Sequence, residues 1–225
     1  MLIDIHTHIP EHNPANLCFL IGKHALGIHP WELSAESSKE SIEKKFQELQ
    51  RLDQKEVLAI GECGLDRARC GPLGMNFQLE VLLWHMTWAS KTERPLILHC
   101  VRSHSDLLML LKKKRYLGKI LLHDFSGNQV EAMKFLNYDA WFSFGTSFFR
   151  KNSKSPQVFK ALPKERLFLE TDDQREYSLE TIYDKASELL KMNRVDVEEL
   201  MLSNLKSFFS DLNDVSASDL IAYLR

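Results

Sequence analysis

Residues 57–62 read "VLAIGE", four apolar residues and a glycine that stop at a carboxylate. A run this short, apolar throughout and without polar alternation, suits a parallel strand buried on both faces. The same construction returns as "LIDIH" (2–6), "HALGIH" (24–29), "PLILHC" (95–100), "KILLHD" (119–124), "AWFSFG" (140–145) and "LFLET" (167–171). Between these runs lie amphipathic stretches that predict helices near 36–53, 75–92, 103–116, 128–137, 156–161 and 178–191, with two more near 196–210 and 216–224 closing the chain. "SSKESIEKKFQEL" and "SLETIYDKASELL" both open on serines, the residues that cap helix starts.

Alternating strands and helices form an open doubly wound sheet or a closed barrel. The polar residues choose between them. His6, His29, Glu62, His99, His123 and Asp172 all fall at or just past the carboxyl end of a predicted strand. A barrel gathers such ends around one mouth, whereas an open sheet spreads them along a line. The reading is an α/β chain with a TIM-barrel-like (β/α) fold.

The 225 residues, 44% hydrophobic, are enough for one core, and a single domain over 1–225 is expected. With 29 basic and 31 acidic residues the net charge is −2, which excludes a global electrostatic footprint for nucleic acid or anionic membrane. A phosphate-bearing substrate stays open, because bound metal ions supply positive charge locally. No signal peptide or membrane-length apolar run is read, so a soluble, cytoplasmic protein with no membrane association and no inferred protein partner is expected. Cys18, Cys63, Cys70 and Cys100 form no C-x-x-C pair, which fits reduced thiols rather than a disulfide framework.

Side chains alternate along a strand, so Asp4, His6 and His8 share one face of the first run and Ile3, Ile5 and Thr7 the other. Alone, such a pair of histidines is as readily an exposed strand as a metal site. With Glu62, His99, His123 and Asp172 at other strand ends, the donors number six. Imidazole plus carboxylate suits zinc, manganese or iron, and six ligands exceed the need of one catalytic ion, which points to two ions bridged by a carboxylate.

In the order "DIHTH", "GIHPW", "GECGLD", "LILHC", "HDFSG" with "FSFG" after it, and "LETD", the chain resembles the TatD-related metal-dependent hydrolases, the TatD DNases, within the wider amidohydrolase-like barrels. The resemblance runs from Asp4 to about Asp173. It implies two divalent ions, zinc first, with magnesium or manganese as the alternatives. His6, His8, Glu62 and Asp172 would hold one ion, and Glu62 would bridge to a second held by His99 and His123. Asp4 would fix an imidazole from behind, and His29 would contact substrate at a phosphate oxygen. An ion-bridging hydroxide, with Asp172 holding the water and taking its proton, implies hydrolysis of a phosphodiester, DNA above all.

Three departures accompany the match. Only 20 residues separate His8 from His29, and a crossover alone takes about 10–12. The helix and strand of that interval are therefore expected to shrink to the loop "PEHNPANLCFLIGK" or a small hairpin, leaving the barrel incomplete or distorted in its first βα unit. Asp173 stands where the family often has proline, and Arg102 lies further from His99 than the family's arginine; both are carried as substrate-contact candidates. Two other readings remain open: a metal-dependent hydrolase of a small-molecule amide, ester or lactone, and a non-catalytic metal-binding relative. His85 in "WHMTW" reads as helix packing, and "KKKR" (112–115) as a solvated helix end.

Overall fold

The computed structural model describes residues 1–9, 13, 16–33, 37–52, 57–70, 74–174 and 176–209, so the helix expected near 216–224 lies outside the described residues. The chain runs β1 (Ile3–Thr7), β2 (Leu17–Leu20), β3 (Ala25–Leu26), α1 (Lys39–Arg51), β4 (Ala59–Asp66) and α2 (Gly74–Thr92). It continues through β5 (Leu96–Val101), α3 (His104–Lys114), β6 (Ile120–Leu122), α4 (Gln129–Phe135), β7 (Ala140–Phe144), α5 (Ser155–Ala161) and β8 (Leu167–Leu169), and then α6 (Leu179–Leu190) and α7 (Arg194–Phe208). Every strand pair is parallel.

Six strands, β3 to β8, ladder in sequence order, while β1 and β2 form a separate pair. Two single-residue joints complete the ring. At one, Thr7 bridges Asp172, with His8 N–H donating to the Asp172 carbonyl at 3.1 Å and Asp172 N–H to the His6 carbonyl at 3.0 Å. At the other, Ile21 bridges Ala25 and Gly22 N–H donates to the Ala25 carbonyl at 2.9 Å. The strands are apolar because both faces are covered: Ile5, Ile60, Leu98, Leu122, Phe142 and Phe168 are fully buried.

Helix starts follow local chemistry. Ser38, Asn128, Ser178 and Asn193 each accept the backbone N–H three residues on, satisfying one of the donors a helix leaves free. After β8, α6 and α7 return to the first strand, where the Tyr183 hydroxyl accepts Ile3 N–H at 2.8 Å and donates to the Ile3 carbonyl at 3.0 Å.

The distortion expected in the first βα unit is present, in a different form. "LCFL" is neither loop nor hairpin but a strand parallel to β1, with Ile3 opposite Leu17 and Thr7 opposite Leu20. Residues 8–16 join the two strands, fewer than the dozen or so that a helical crossover needs. The chain then steps sideways into β3 through one turn, in which His24 Nδ1 accepts Leu20 N–H at 2.9 Å. Of the run "HALGIH", only Ala25 and Leu26 are laddered to β4.

Candidate metal centre

Glu62 sits at the middle of the mouth, reached through a cis Gly61–Glu62 peptide bond. Gly61 has φ +142°, and a side chain there would place its Cβ 2.4 Å from the Ile97 carbonyl. A Cβ on Gly27 would lie 2.6 Å from the Glu62 carbonyl, so that glycine lets the chain leading to His29 press against the carboxylate's backbone.

Five imidazoles surround this one buried carboxylate, divided by oxygen. Oε1 lies 2.7 Å from His123 Nε2, 3.0 Å from His29 Nε2 and 3.1 Å from His99 Nδ1. Oε2 lies 3.2 Å from His8 Nε2 and 3.3 Å from His6 Nε2. Asp172 Oδ1 faces the second set, 3.5 Å from His6 Nε2 and 3.6 Å from His8 Nε2. Asp172 takes a left-handed φ of 57° while its backbone closes β8 onto β1, so the joint of the ring and the carboxylate of the site are one residue.

The hydrogen bonds sort the histidines by role. His29 Nδ1 accepts Trp31 N–H at 3.1 Å, which places the ring proton of the neutral imidazole on Nε2, facing Glu62. His29 is thus set up to donate. His99 is the reverse: Nε2 meets Asp66 Oδ2 at 3.1 Å, and Nδ1 turns a lone pair toward Glu62 Oε1 and toward His123 Nε2 at 3.2 Å. Neither ring nitrogen of His6, buried completely, has a hydrogen-bond partner among the described residues.

Acceptors that face one another in a buried space are held there only by protons or by cations. Without a cation, protons take that part. Burial and the neighbouring His123 push the His6 imidazole down, but Glu62 and Asp172 overrule them and hold it at about 9, against 6.5 ordinarily. Burial likewise opposes the charged form of His123, yet the carboxylates of Glu62 and Glu170 raise it well above the ordinary value. Burial pushes the carboxyls of Glu62 and Asp172 up, but the imidazoles hold Glu62 well below the usual range and Asp172 at about 2. The donor set, the shared carboxylate and the orphaned nitrogens of His6 all fit divalent cations; three groups of donors, His6/His123/Asp172, His6/His8/Glu62 and His29/Glu62/His99, each come within 4.8 Å.

Other expected residues fall differently. Among the described residues the buried Asp4 carboxylate reaches no imidazole: it accepts Thr171 Oγ at 2.6 Å, Thr171 N–H at 3.1 Å and His6 N–H at 3.4 Å, so it ties β1 to the segment carrying Asp172. Burial pushes its carboxyl up to about 7. Asp173 is exposed and lines the cavity with His8, His29, Trp31, Glu62, His99, His123 and Asp172. Arg102 is exposed at the start of the loop after β5, outside that lining and without an ion pair among the described residues. His85 packs as expected, and its Nε2 also accepts Ile28 N–H at 3.0 Å, steadying the residue before His29.

Two carboxylates escaped the sequence reading. Asp66 backs His99, and it also accepts the Trp31 indole N–H at 2.6 Å and two backbone N–H groups, from Ala68 and Arg69. Burial raises its carboxyl, but the Trp31 and His99 hydrogen bonds outweigh that and lower it. Glu170 Oε1 stands 3.5 Å behind His123 Nδ1 and accepts Asp124 N–H at 2.8 Å. Strand alternation carries the signal for Asp66, which shares a face of β4 with Glu62 and Gly64, while Glu170 stands directly after β8 at the end of its apolar run.

The model of the family described as TatD related DNase matches residues 21–210. The chain belongs to the TatD family. Its likeness to YjjV of Escherichia coli, named as a metal-dependent hydrolase, is 35% identity over 153 residues, 66% of this chain and 56% of that one. It is 32% identical over 160 residues to a Klebsiella pneumoniae protein named 3'-5' ssDNA/RNA exonuclease TatD, covering 65% of this chain and 55% of the relative. The TatD-family chain thus spans little more than half the length of these relatives. The crystal structure of E. coli YjjV superposes with a TM-score of 0.72 at 26% identity over 88% of this chain and 78% of that one. A TatD-family hydrolase from Entamoeba histolytica shares the fold, with a TM-score of 0.71 at 21% identity over 86% and 74% of the two chains. Both likenesses support the TIM-barrel architecture in this TatD-family protein.

Proposed function

We propose that this protein is a two-metal phosphodiesterase acting on the ends of single-stranded nucleic acid. The observation that carries the reading is the division of Glu62, with Oε2 facing His6 and His8 and Oε1 facing His99 and His123. One ion would be held by His6, His8, Asp172 and Glu62, the other by Glu62, His99 and His123. Nitrogen and carboxylate donors in this proportion suit zinc, with manganese or magnesium as the alternatives. Such ions supply charge neutralisation at the phosphate and a more acidic water.

The chain's own residues do the rest. Asp172, kept ionised, takes a proton from the attacking water. His29, whose Nε2–H is fixed by the Trp31 bond to Nδ1, donates to a non-bridging phosphate oxygen. Asp66 and Glu170 hold the rings of His99 and His123 in place from behind. The nucleic-acid assignment is supported by the family and by the exonuclease name borne by the Klebsiella relative.

The test is metal content per chain of the purified protein, measured beside hydrolysis of bis(p-nitrophenyl) phosphate, single-stranded DNA and RNA, and acyl esters and lactones. About two ions per chain with phosphodiester cleavage is expected. Acyl hydrolysis without phosphodiester cleavage would move the site to the other chemistry, and bound metal without any turnover would make the protein a metal-binding relative.

A further inference from the structure

The cavity over the metal centre is small, about 230 Å³, below the roughly 300–1,000 Å³ of sites that enclose an ordinary ligand. It has room for a reacting phosphodiester group but not for the nucleotides on either side, which must lie across its edges. Those edges differ. One carries the exposed carboxylate of Asp173, which would repel a second phosphate. The other is Trp31, 45% exposed yet held firmly: its indole N–H is bonded to Asp66, and its ring centroid lies 4.8 Å from that of His29 and 5.6 Å from that of His99.

The Arg69 guanidinium lies 3.7 Å from the centroid of the Trp31 ring. Its backbone N–H is fixed by Asp66 Oδ1 at 3.0 Å, so one carboxylate sets the histidine, the indole and the start of the arginine together. The neighbouring Arg67 is occupied by Asp106 at 2.6 Å. Exposed Arg69, by contrast, has no hydrogen bond or ion pair for its guanidinium among the described residues. A cation parked on an aromatic face keeps its in-plane donors free for a phosphate.

We propose that Arg69, backed by Trp31, binds the phosphate next to the reacting one on a single-stranded nucleic acid, and so makes the site prefer strands over isolated phosphodiesters. This deepens the phosphodiesterase reading and rests on it for the identity of the ligand. Arg69 sits one ring beyond the cavity on its Trp31 side, where the next phosphate of a strand would meet a cation. Neither Arg69 nor Arg102, the arginine that the sequence offered for a substrate phosphate, lines the cavity itself, but Arg69 rests on Trp31, a ring that does.

The test uses the metal-loaded protein and Arg69→Ala and Arg69→Lys variants, with two readouts. The first is affinity for a short single-stranded phosphorothioate oligonucleotide across a salt series. The second is hydrolysis of a natural oligonucleotide beside bis(p-nitrophenyl) phosphate. Arg69→Ala should weaken oligonucleotide binding about tenfold at low salt and lower the slope of log affinity against log salt by about 0.7, one phosphate contact on a single strand. Arg69→Lys should keep the slope and recover part of the affinity, because a point charge replaces a planar fork. Replacing the flanking linkage with a neutral methylphosphonate should erase the difference between wild type and Arg69→Ala, and bis(p-nitrophenyl) phosphate turnover should not change.

Wild-type cleavage with no effect of Arg69 on binding or salt slope overturns this assignment and leaves the phosphodiesterase reading standing. Arg69-dependent binding without hydrolysis does the reverse. Equal loss on both substrates, an effect that survives the neutral linkage, or no oligonucleotide binding by the wild type also overturns it.

Discussion

The β1–β2 pair and the six-stranded sheet β3–β8 supply the same site by different means. The sheet is held by multi-residue backbone ladders, with a register shift between Ile60 and Cys63 and a helix between each pair of successive strands, and it delivers Glu62, His99 and His123 from β4, β5 and the end of β6. The pair delivers His6 and His8 but, among the described residues, meets the sheet's backbone through two one-residue bridges, Thr7–Asp172 and Ile21–Ala25. Side chains replace the missing ladders: Asp4 on Thr171, Tyr183 on Ile3, and His24 on Leu20. The family model also begins at residue 21, beyond the pair. A ring can dispense with crossover connections in its first unit, provided that buried polar contacts fix the strand that carries the site's histidines.

The strongest way to break the contrast is at Glu62, where the two regions meet. Glu62→Gln turns an N–H donor toward one of the two histidine sets and removes the shared charge. Turnover should fall at least about 100-fold, the upper end of what supporting residues one contact further out cost, with the circular dichroism of the fold retained and metal content reduced. Turnover within tenfold of wild type would mean that the pair and the sheet form independent sites.

Thr171→Val is the next test, because it removes the hydroxyl that Asp4 accepts at 2.6 Å while keeping the volume of the side chain. Leaving the Asp4 carboxyl short of a partner should cost about 1–3 kcal/mol of unfolding free energy, measured by denaturant titration. Because Asp172 follows Thr171, activity should drop more than stability alone explains. A variant with unchanged stability would show that the pair needs no such tie.

The smallest effect concerns the β2–β3 step and depends on pH. Burial, then the charge of Lys23, lowers the His24 imidazole to about 4 from 6.5, and its Nδ1 must stay unprotonated to accept Leu20 N–H. Between those two values the unfolded chain takes up a proton that the folded chain refuses. Stability from this group is therefore present above about 6.5 and is lost as the pH falls toward about 4, by roughly 1–3 kcal/mol. His24→Asn keeps an acceptor that does not titrate, so the stability gap between wild type and variant should shift toward the variant in denaturation at about pH 4.5 relative to about pH 7.5. A gap independent of pH would remove His24 from the step.

The barrel and the six donors were legible because each depends on a local pattern: a short apolar run that ends in a chemically distinctive residue. "LCFL" was not legible as a strand. Four apolar residues in an interval too short for a crossover carry no periodicity of their own, and only the parallel partner β1 makes them a strand. Asp4 was read onto an imidazole by the family resemblance, whereas its carboxylate accepts the hydroxyl of Thr171, 167 positions away. Asp66 was written in the alternation of β4, and Glu170 in the end of the run that forms β8. What hid them was that each acts on another side chain, His99 or His123, whose ring orientation only the folded mouth defines.

Trp31 gives the molecule a built-in optical reporter. Trp84 and Trp88 are ringed by Phe46 in the helical layer, and Trp141 stacks on Phe168 below, all away from the mouth. Trp31 alone among the four shares a carboxylate with a histidine of the candidate site. A cation that drew on His99 would act through Asp66 on this exposed indole, so a change of tryptophan emission on metal titration is expected, and it should be lost in Trp31→Phe.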